Sequence, residues 1–376
     1  MRRIPSAPRS GWQAKVEAAG LTWHTGEQAY WNESAFYEFT AREIDLLASA
    51  TNELDSMALK AVQHAIDNKL YSNLAIPEAA VPLIERSWEA EPPSIYGRFD
   101  LLYDGCHPPK LLEYNADTPT SLLEAAVVQW FWLEDTHPAS DQFNSIHERL
   151  IALWNDLAPA IPRRHVDFCA MDDAEDWATA TYLEDTAQQA GFSSTLFTIE
   201  GIGWNGTQFV GPDDRPLTTV FKLYPWEWMV REEFGKYLAQ ANTIWLEPPW
   251  KMLLSNKGLL PVLWQLYPNH PNLLAAHFQP PRSASDWVKK PLLGREGQNV
   301  TIRRSGREIQ TAGNYGEEGF VYQEVGPMKS VGEMYPVIGS WVIGHAAGDA
   351  AARIGIRESD SPIITNTSAF VPHLCG

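Results

Sequence analysis

Between Ala41 and Leu70 apolar side chains recur at spacings of three and four: Ile44, Leu47, Leu54, Met57, Ala58, Ala61 and Ala65, with Thr51 in the same stripe. That period places them on one face, so a long amphipathic helix resting on a core is expected. The period then changes to two. Tyr96 to Tyr103 and Lys110 to Asn115 alternate, with Asp104-Gly105 and Pro108-Pro109 between them, which predicts a β-hairpin. A helix is expected from about Thr118 to Glu134, capped by Asp117 or Thr118, with Pro119 in its first turn.

From His165 the order becomes strand, helix, strand: HVDFCAM, an alanine-rich helix ending at Gly191, then TLFTI. This is the alternation of an α/β layer. Thr219 to Leu274 reads as a short strand, a helix rich in Trp and Glu, and a helix after Ser255. From Trp287 onward the runs DWVKKPLL, NVTIRR, FVYQEV, YPVIGSWVIG and AARIGIR, separated by glycine, read as an antiparallel sheet. No repeat, low-complexity tract or linker interrupts the chain. Working boundaries are a helical part over 1–95, an α/β part over 96–250 and a β-rich part over 251–376.

With 376 residues, 44% hydrophobic and 20% charged, the chain can bury a core as one elaborated domain or two to three packed ones. No apolar run reaches the roughly eighteen residues of a membrane span, and the basic start MRRIPSAPRSGWQAK lacks the apolar stretch of a signal peptide. A cytoplasmic protein is expected. Cys106, Cys169 and Cys375 lie far apart without metal-binding spacing, so they read as reduced thiols. Sixteen Trp and thirteen Tyr fit either large core side chains or a lined ligand groove. The formal charge of −18 argues against nucleic acid or an anionic membrane as partner, while leaving room for a basic pocket that takes a phosphorylated ligand.

The hairpin carries the first candidate chemistry. Arg98 and Asp100 stand two apart, as do Glu113 and Asn115, so each strand has one polar face. In the register that opposes Asp100 to Glu113, Arg98 opposes Asn115. Two carboxylates and an amide oxygen then converge, and opposed carboxylates need a neutralising partner. A hard divalent cation is one candidate; a solvated hairpin face is the plainer alternative. Further on, Lys289-Lys290-Pro291 leads into Leu292-Leu293-Gly294-Arg295-Glu296-Gly297-Gln298-Asn299. A glycine-containing loop between strands can lay backbone N–H groups over phosphates beside a lysine; it is neither a Walker loop nor a kinase loop, and a simple turn also fits. Lys257 stands before an apolar run and reads as a phosphate contact from a helix start or as a surface lysine. Arg353 and Arg357, four apart on a late strand, share a face and suit an acyl phosphate or nearby carboxylates.

Together, YGRFD, EYNADTPT, EPPWKMLLSNKGLLPVLW, VKKPLLGREGQN, VYQEV and GIRESDSPI occur in the order and approximate spacing of the synthetase domain of glutathionylspermidine synthase. The chain resembles the acid–amine ligase branch of that family, which lacks the amidase domain. The resemblance implies an α+β, α/β protein with mixed and antiparallel sheets: an ATP-grasp fold after a pre-ATP-grasp α/β domain. It implies ATP and Mg²⁺ as cofactors, and amide formation between a small-molecule acid, an amino-acid or peptide carboxylate, and an amine, polyamines included. Carried across by motif, Asp100, Glu113 and Asn115 are the metal ligands. Arg98 contacts nucleotide phosphate or the activated carboxylate. Lys257 and Lys290 bind phosphates beneath Glu296 and Gly297. Gln323, Glu324 and Val325 lie against adenine, Pro362, Ile363 and Ile364 near the nucleotide, and Arg357 stabilises the acyl phosphate. Lys289 and Arg353 have weaker claims. One departure stands out: Thr118-Pro119-Thr120-Ser121-Leu122 occupies the place of small hydroxyl residues and a cysteine that hold glutathione, which puts that substrate in question. A small-molecule kinase and a non-catalytic binding protein of the same fold remain alternatives.

Overall fold

The computed structural model describes residues 1–26, 29–281, 286–327, 329–345 and 353–376. The long helix forms over Ala41–Asp67 and buries Leu47, Leu54, Met57, Ala58, Ala61 and Ala65, the face its spacing marked. Thr40 caps it reciprocally: its hydroxyl accepts from Glu43 N, and the Glu43 carboxylate accepts from Thr40 N.

The hairpin forms as Tyr96–Leu102 antiparallel to Lys110–Asn115, with Arg98 opposite Asn115 and Asp100 opposite Glu113. Directly after that pair the register shifts, so Leu101 faces Leu111. A bulge here bends the strand at the charged pair. The other edge of Tyr96–Leu102 pairs with Tyr335–Ile343, and the antiparallel sheet continues through Arg353–Ser359 to Ala369–Val371.

The C-terminal β-rich region therefore corrects the expectation of one sheet. Its first strands, Trp287–Pro291, Thr301–Arg304 and Phe320–Gln323, form a separate five-stranded antiparallel sheet with Ala276–His277 and Arg307–Gln310. Its last strands complete the hairpin sheet. Ala351 and Ala352 of the run AARIGIR lie outside the described residues.

The α/β layer is as expected: His165–Ala170 and Ser193–Thr198 are parallel neighbours joined by the helix Ala174–Gln189, and Thr219–Leu223 and Ile244–Leu246 extend the parallel sheet. A smaller mixed sheet, Arg2–Pro5, Ala35–Phe39 and His373–Cys375, brings both ends of the chain together. Trp31, Trp132, Trp154, Trp226 and Trp341 are fully buried, so much of the aromatic load is core. Among the described residues no helix is long and apolar enough to cross a membrane, and the three cysteines are free.

Two helix expectations need correction. Helical structure begins at residue 122 rather than 118 and runs through the π-helical stretch Glu124–Val128 into Gln129–Thr136. Asp117 does not cap it, because its carboxylate is taken by Lys222 Nζ at 2.7 Å and by Trp226 N at 2.9 Å. Ser121, with φ of 66°, turns the chain between the two. The Trp- and Glu-rich helix is a single turn, Trp226–Met229.

Candidate functional site

The two antiparallel sheets face one another across a cleft of about 950 Å³, its opening to solvent included. The hairpin sheet contributes Asp100 and Glu113. The other sheet contributes Lys290 and Gln323, and the turn before the helix Leu259–Leu266 contributes Lys257.

The period-two face of the hairpin sets the charge pattern. Arg98 donates from Nε and Nη2 to the two oxygens of Asp100 at 2.6 and 3.0 Å, and from Nη1 to Thr120 O at 2.7 Å. Lys257 Nζ stands 2.8 Å from Glu113 Oε2 and donates to Gly294 O. Asn115 Nδ2 donates to both carboxylates, at 3.3 and 3.1 Å. The opposed acids are thus each met by a cation. Burial pushes the Asp100 carboxyl up, against the pull of Arg98. Burial acts on Glu113 in the same sense, but Lys257, then Lys290, outweigh it and hold that carboxyl down at about 2.

Lys290 reaches into the cleft from Trp287–Pro291, where the alternation turns it away from Lys289. Its Nζ donates to Leu112 O at 3.0 Å and to Gln323 Oε1 at 2.8 Å. Burial lowers its pKa to about 8, against the pull of Glu113. An ammonium so held is under-neutralised and suits an incoming polyanion. Above it, the loop 294–299 closes onto Pro362–Ile364. A Cβ on Gly297, whose φ is 66°, would stand 2.2 Å from Ile364 O, so glycine is required for that approach. Arg295 anchors the loop from outside, donating to Glu227 Oε1 at 2.6 Å and Thr118 Oγ1 at 2.9 Å.

Past Asp100 the cleft continues into a smaller hollow of about 360 Å³, lined by Arg98, Ser121 and Arg357. Arg98 lies so close over Gly339 that a Cβ there would meet its Cδ at 2.9 Å. Arg357 Nη2 donates to the carbonyls of Thr365, Asn366 and Ser368, at 2.8, 3.1 and 2.9 Å, while its Nε is buried without a partner. A guanidinium with a spare buried donor is poised for an acceptor oxygen.

Ten of the residues singled out in the sequence line the main cleft: Asp100, Glu113, Lys257, Lys290, Gly297, Gln323, Glu324, Pro362, Ile363 and Ile364. Arg98 and Arg357 line its extension. Val325 and Asn115 lie outside both linings, and Glu296 lines a shallow hollow on the far side of the loop. Glu324 N already donates to Ala275 O at 2.7 Å. Lys289 lies over the Phe320 ring at 3.8 Å. Arg353 bonds Ser145 and lies 5.0 Å from the Phe143 ring centre, and lines neither the main cleft nor its extension. Sequence reading missed Arg295, Tyr30 and Glu124. Ser121-Leu122-Leu123-Glu124 has the spacing of a capping box, a faint signal, but Glu124 bonds Tyr30 instead.

The donor chemistry fits a divalent metal. Asp100 and Glu113 offer hard oxygens to the cleft, and Asn115, which bonds both carboxylates from beside the lining, would add its amide oxygen when turned, few enough ligands to leave room for water and phosphate in the shell. Among the described residues no cluster of three or more His, Cys, Asp or Glu could hold a metal by itself, so cleft ligands would complete the coordination.

A family model described as glutathionylspermidine synthase preATP-grasp matches residues 3–376. The chain is 46% identical over 360 residues to the "Putative acid--amine ligase" of Haemophilus influenzae, covering 92% of this chain and 90% of that protein. It is 29% identical over 328 residues to trypanothione synthetase of Crithidia fasciculata, covering 78% of this chain and 49% of that one. It is 27% identical over 372 residues to the bifunctional glutathionylspermidine synthetase/amidase of Escherichia coli K12, covering 90% and 58%. The chain spans about half the length of these last two relatives. With the match running from residue 3 to the last, the chain belongs to the glutathionylspermidine synthase preATP-grasp family.

Proposed function

We propose that this protein is an ATP- and Mg²⁺-dependent carboxylate–amine ligase of the ATP-grasp type, joining a small-molecule acid to an amine through an acyl phosphate. The observation that carries this reading is the meeting of Lys257 and Lys290 with Asp100 and Glu113 in one cleft roofed by the Gly297 loop. The relatives' names, an acid–amine ligase, a trypanothione synthetase and a glutathionylspermidine synthetase/amidase, agree with it.

A carboxylate is a poor electrophile because its leaving group would be an oxide. Transfer of the γ-phosphoryl group of ATP to one carboxylate oxygen gives an acyl phosphate and ADP; the amine then forms the C–N bond as the C–O bond to phosphate breaks. The chain's own groups position reactants and balance charge. Lys257 and Lys290 hold phosphate oxygens beneath the Gly297 loop. Gln323, Glu324 and Pro362 to Ile364 flank the base. Arg98 and Arg357, on either side of the smaller hollow, hold the acid and the charge that gathers on its phosphorylated carboxyl. Mg²⁺, held by Asp100, Glu113 and Asn115, would neutralise phosphate charge. Phosphate binding also competes for Lys257, freeing Glu113 to act as a metal ligand.

The test is product analysis on the purified protein with ATP, Mg²⁺ and a panel of acids and amines that begins with glutathione and spermidine. The reading predicts ADP and phosphate release that needs both acid and amine, and a hydroxamate when hydroxylamine replaces the amine. A stable phosphorylated acceptor formed without amine would make the protein a kinase. Absence of turnover across the panel, with nucleotide bound, would favour a binding protein.

A further inference from the structure

One buried carboxyl beside the smaller hollow has no part in the reaction as described. Glu124 is 1% exposed and opens the π-helical stretch Glu124–Val128, a geometry that concentrates at functional sites. Its Oε1 accepts a hydrogen bond from Tyr30 Oη at 2.6 Å, and Tyr30 Oη lies 3.2 Å from Ser121 Oγ. Ser121 forms part of the wall of the hollow between Arg98 and Arg357. A continuous chain of exchangeable protons therefore runs from the hollow, through a serine and a tyrosine, to a carboxyl shut away from water.

Amide formation needs such an outlet. An aliphatic amine, with a pKa near that of lysine at about 10.4, is almost wholly an ammonium ion at neutral pH and must lose a proton to attack. We propose that Ser121, Tyr30 and Glu124 form a proton relay that receives the proton of the attacking amine, an inference that rests on the ligase reading above. Before attack, one ammonium proton passes to Ser121 Oγ, the Ser121 proton to Tyr30 Oη and the Tyr30 proton to Glu124 Oε1, leaving a neutral amine. As the C–N bond then forms and the C–O bond breaks, phosphate departs with the bonding pair and takes up the second proton shed by the nitrogen. Only Ser121 meets substrate; Tyr30 and Glu124 act through it.

The surroundings of Glu124 suit a proton acceptor. The titratable and charged groups that face it are Tyr30 from the N-terminal segment, Glu175 from the helix Ala174–Gln189 and Arg357 from the strand Arg353–Ser359. Burial first, and Glu175 after it, raise the carboxyl to about 7, so it exchanges a proton near neutral pH. Arg357, 5.5 Å from the Tyr30 ring centre, links the relay to the residue that holds the activated acid.

Two measurements on the full chain test this. Infrared difference spectra between about pH 5.5 and about pH 8.5 should show the carbonyl band of protonated carboxyls titrating in the wild type and reduced in Glu124→Gln, the remainder belonging to Asp176, which burial also raises to about 7. A wild type without that band, or a variant whose band is undiminished, overturns the relay. With an acid that supports ADP release, glutathione being the first probe, Glu124→Gln and Tyr30→Phe should slow amide formation with spermidine by about 100-fold relative to hydroxamate formation with hydroxylamine. Hydroxylamine is already neutral at neutral pH and needs no prior deprotonation. The loss should shrink as pH rises towards that of the amine. Tyr30→Phe keeps the ring under Arg357, so equal losses with both nucleophiles would mark a packing role and sink the relay alone. A wild type that releases no ADP with any acid sinks the ligase reading, and the relay with it.

Discussion

The strand Tyr96–Leu102 carries buried charge at both ends, and the two ends are built to opposite purposes. At its start, Glu247 accepts from Ile95 N at 3.0 Å, Tyr96 N at 3.1 Å and Ser94 Oγ at 2.8 Å, and meets Lys251 Nζ at 2.6 Å; Lys251 in turn donates to Tyr96 O at 2.7 Å. Both side chains are fully buried, and every bond made is internal. Towards its end, Asp100 and Glu113 are set against each other across the hairpin and face a cleft. Burial and ion pairing are common to both ends, so neither identifies a site. Like charges set opposite each other beside open space do, because the repulsion between them is a cost to the fold that a ligand can relieve.

The largest expected effect breaks the first end. Lys251→Met leaves Glu247 charged and unpaired in the core, and should lower the free energy of unfolding by about 3–5 kcal/mol, read from urea denaturation. Next, Asp100→Ala or Glu113→Ala should reduce turnover by about 100- to 1000-fold while lowering stability by less than Lys251→Met does, because the stranded Arg98 or Lys257 borders a cleft and each removal also relieves repulsion. A stability loss as large as that of Lys251→Met would erase the distinction between the two ends.

Lys290→Ala should weaken nucleotide binding by about 10- to 100-fold, the usual worth of a hydrogen bond to a charged group. The same lysine gives a pH signature. Burial holds its folded pKa at about 8, against 10.5 for a lysine free in water. Between those values the unfolded chain binds more protons than the folded one, so the lysine's contribution to stability rises with pH across that window. Nucleotide affinity should fall over the same range as the ammonium is lost, and titrations at several pH values would sharpen the contrast with Lys251. Smallest is Thr40→Ala, which removes a helix cap outside the cleft lining and should cost about 1 kcal/mol without altering nucleotide affinity.

The hairpin register and its charged face were legible because a period of two and a Gly/Pro connection together fix which residues oppose. The helix Ala41–Asp67 was legible for the matching reason at period 3.6. The false start at Asp117 was not avoidable from local sequence: the carboxylate that should cap is captured by Lys222, 105 positions away. The division of the C-terminal strands between two sheets is equally hidden, since alternation shows a strand but not its partner. In the site, the lysines and carboxylates were found through motif order. Tyr30 and Glu124 were not, being 94 residues apart and joined only by tertiary packing.

The central claim is that this cleft takes Mg²⁺ and ATP together, and calorimetric titration of a non-hydrolysable ATP analogue, with and without Mg²⁺, into wild type and Glu113→Ala tests it most directly. The account predicts a Kd between about 1 μM and 1 mM that depends on Mg²⁺ in the wild type and loses that dependence in the variant. Wild-type protein that is folded yet binds no nucleotide under either condition would contradict it.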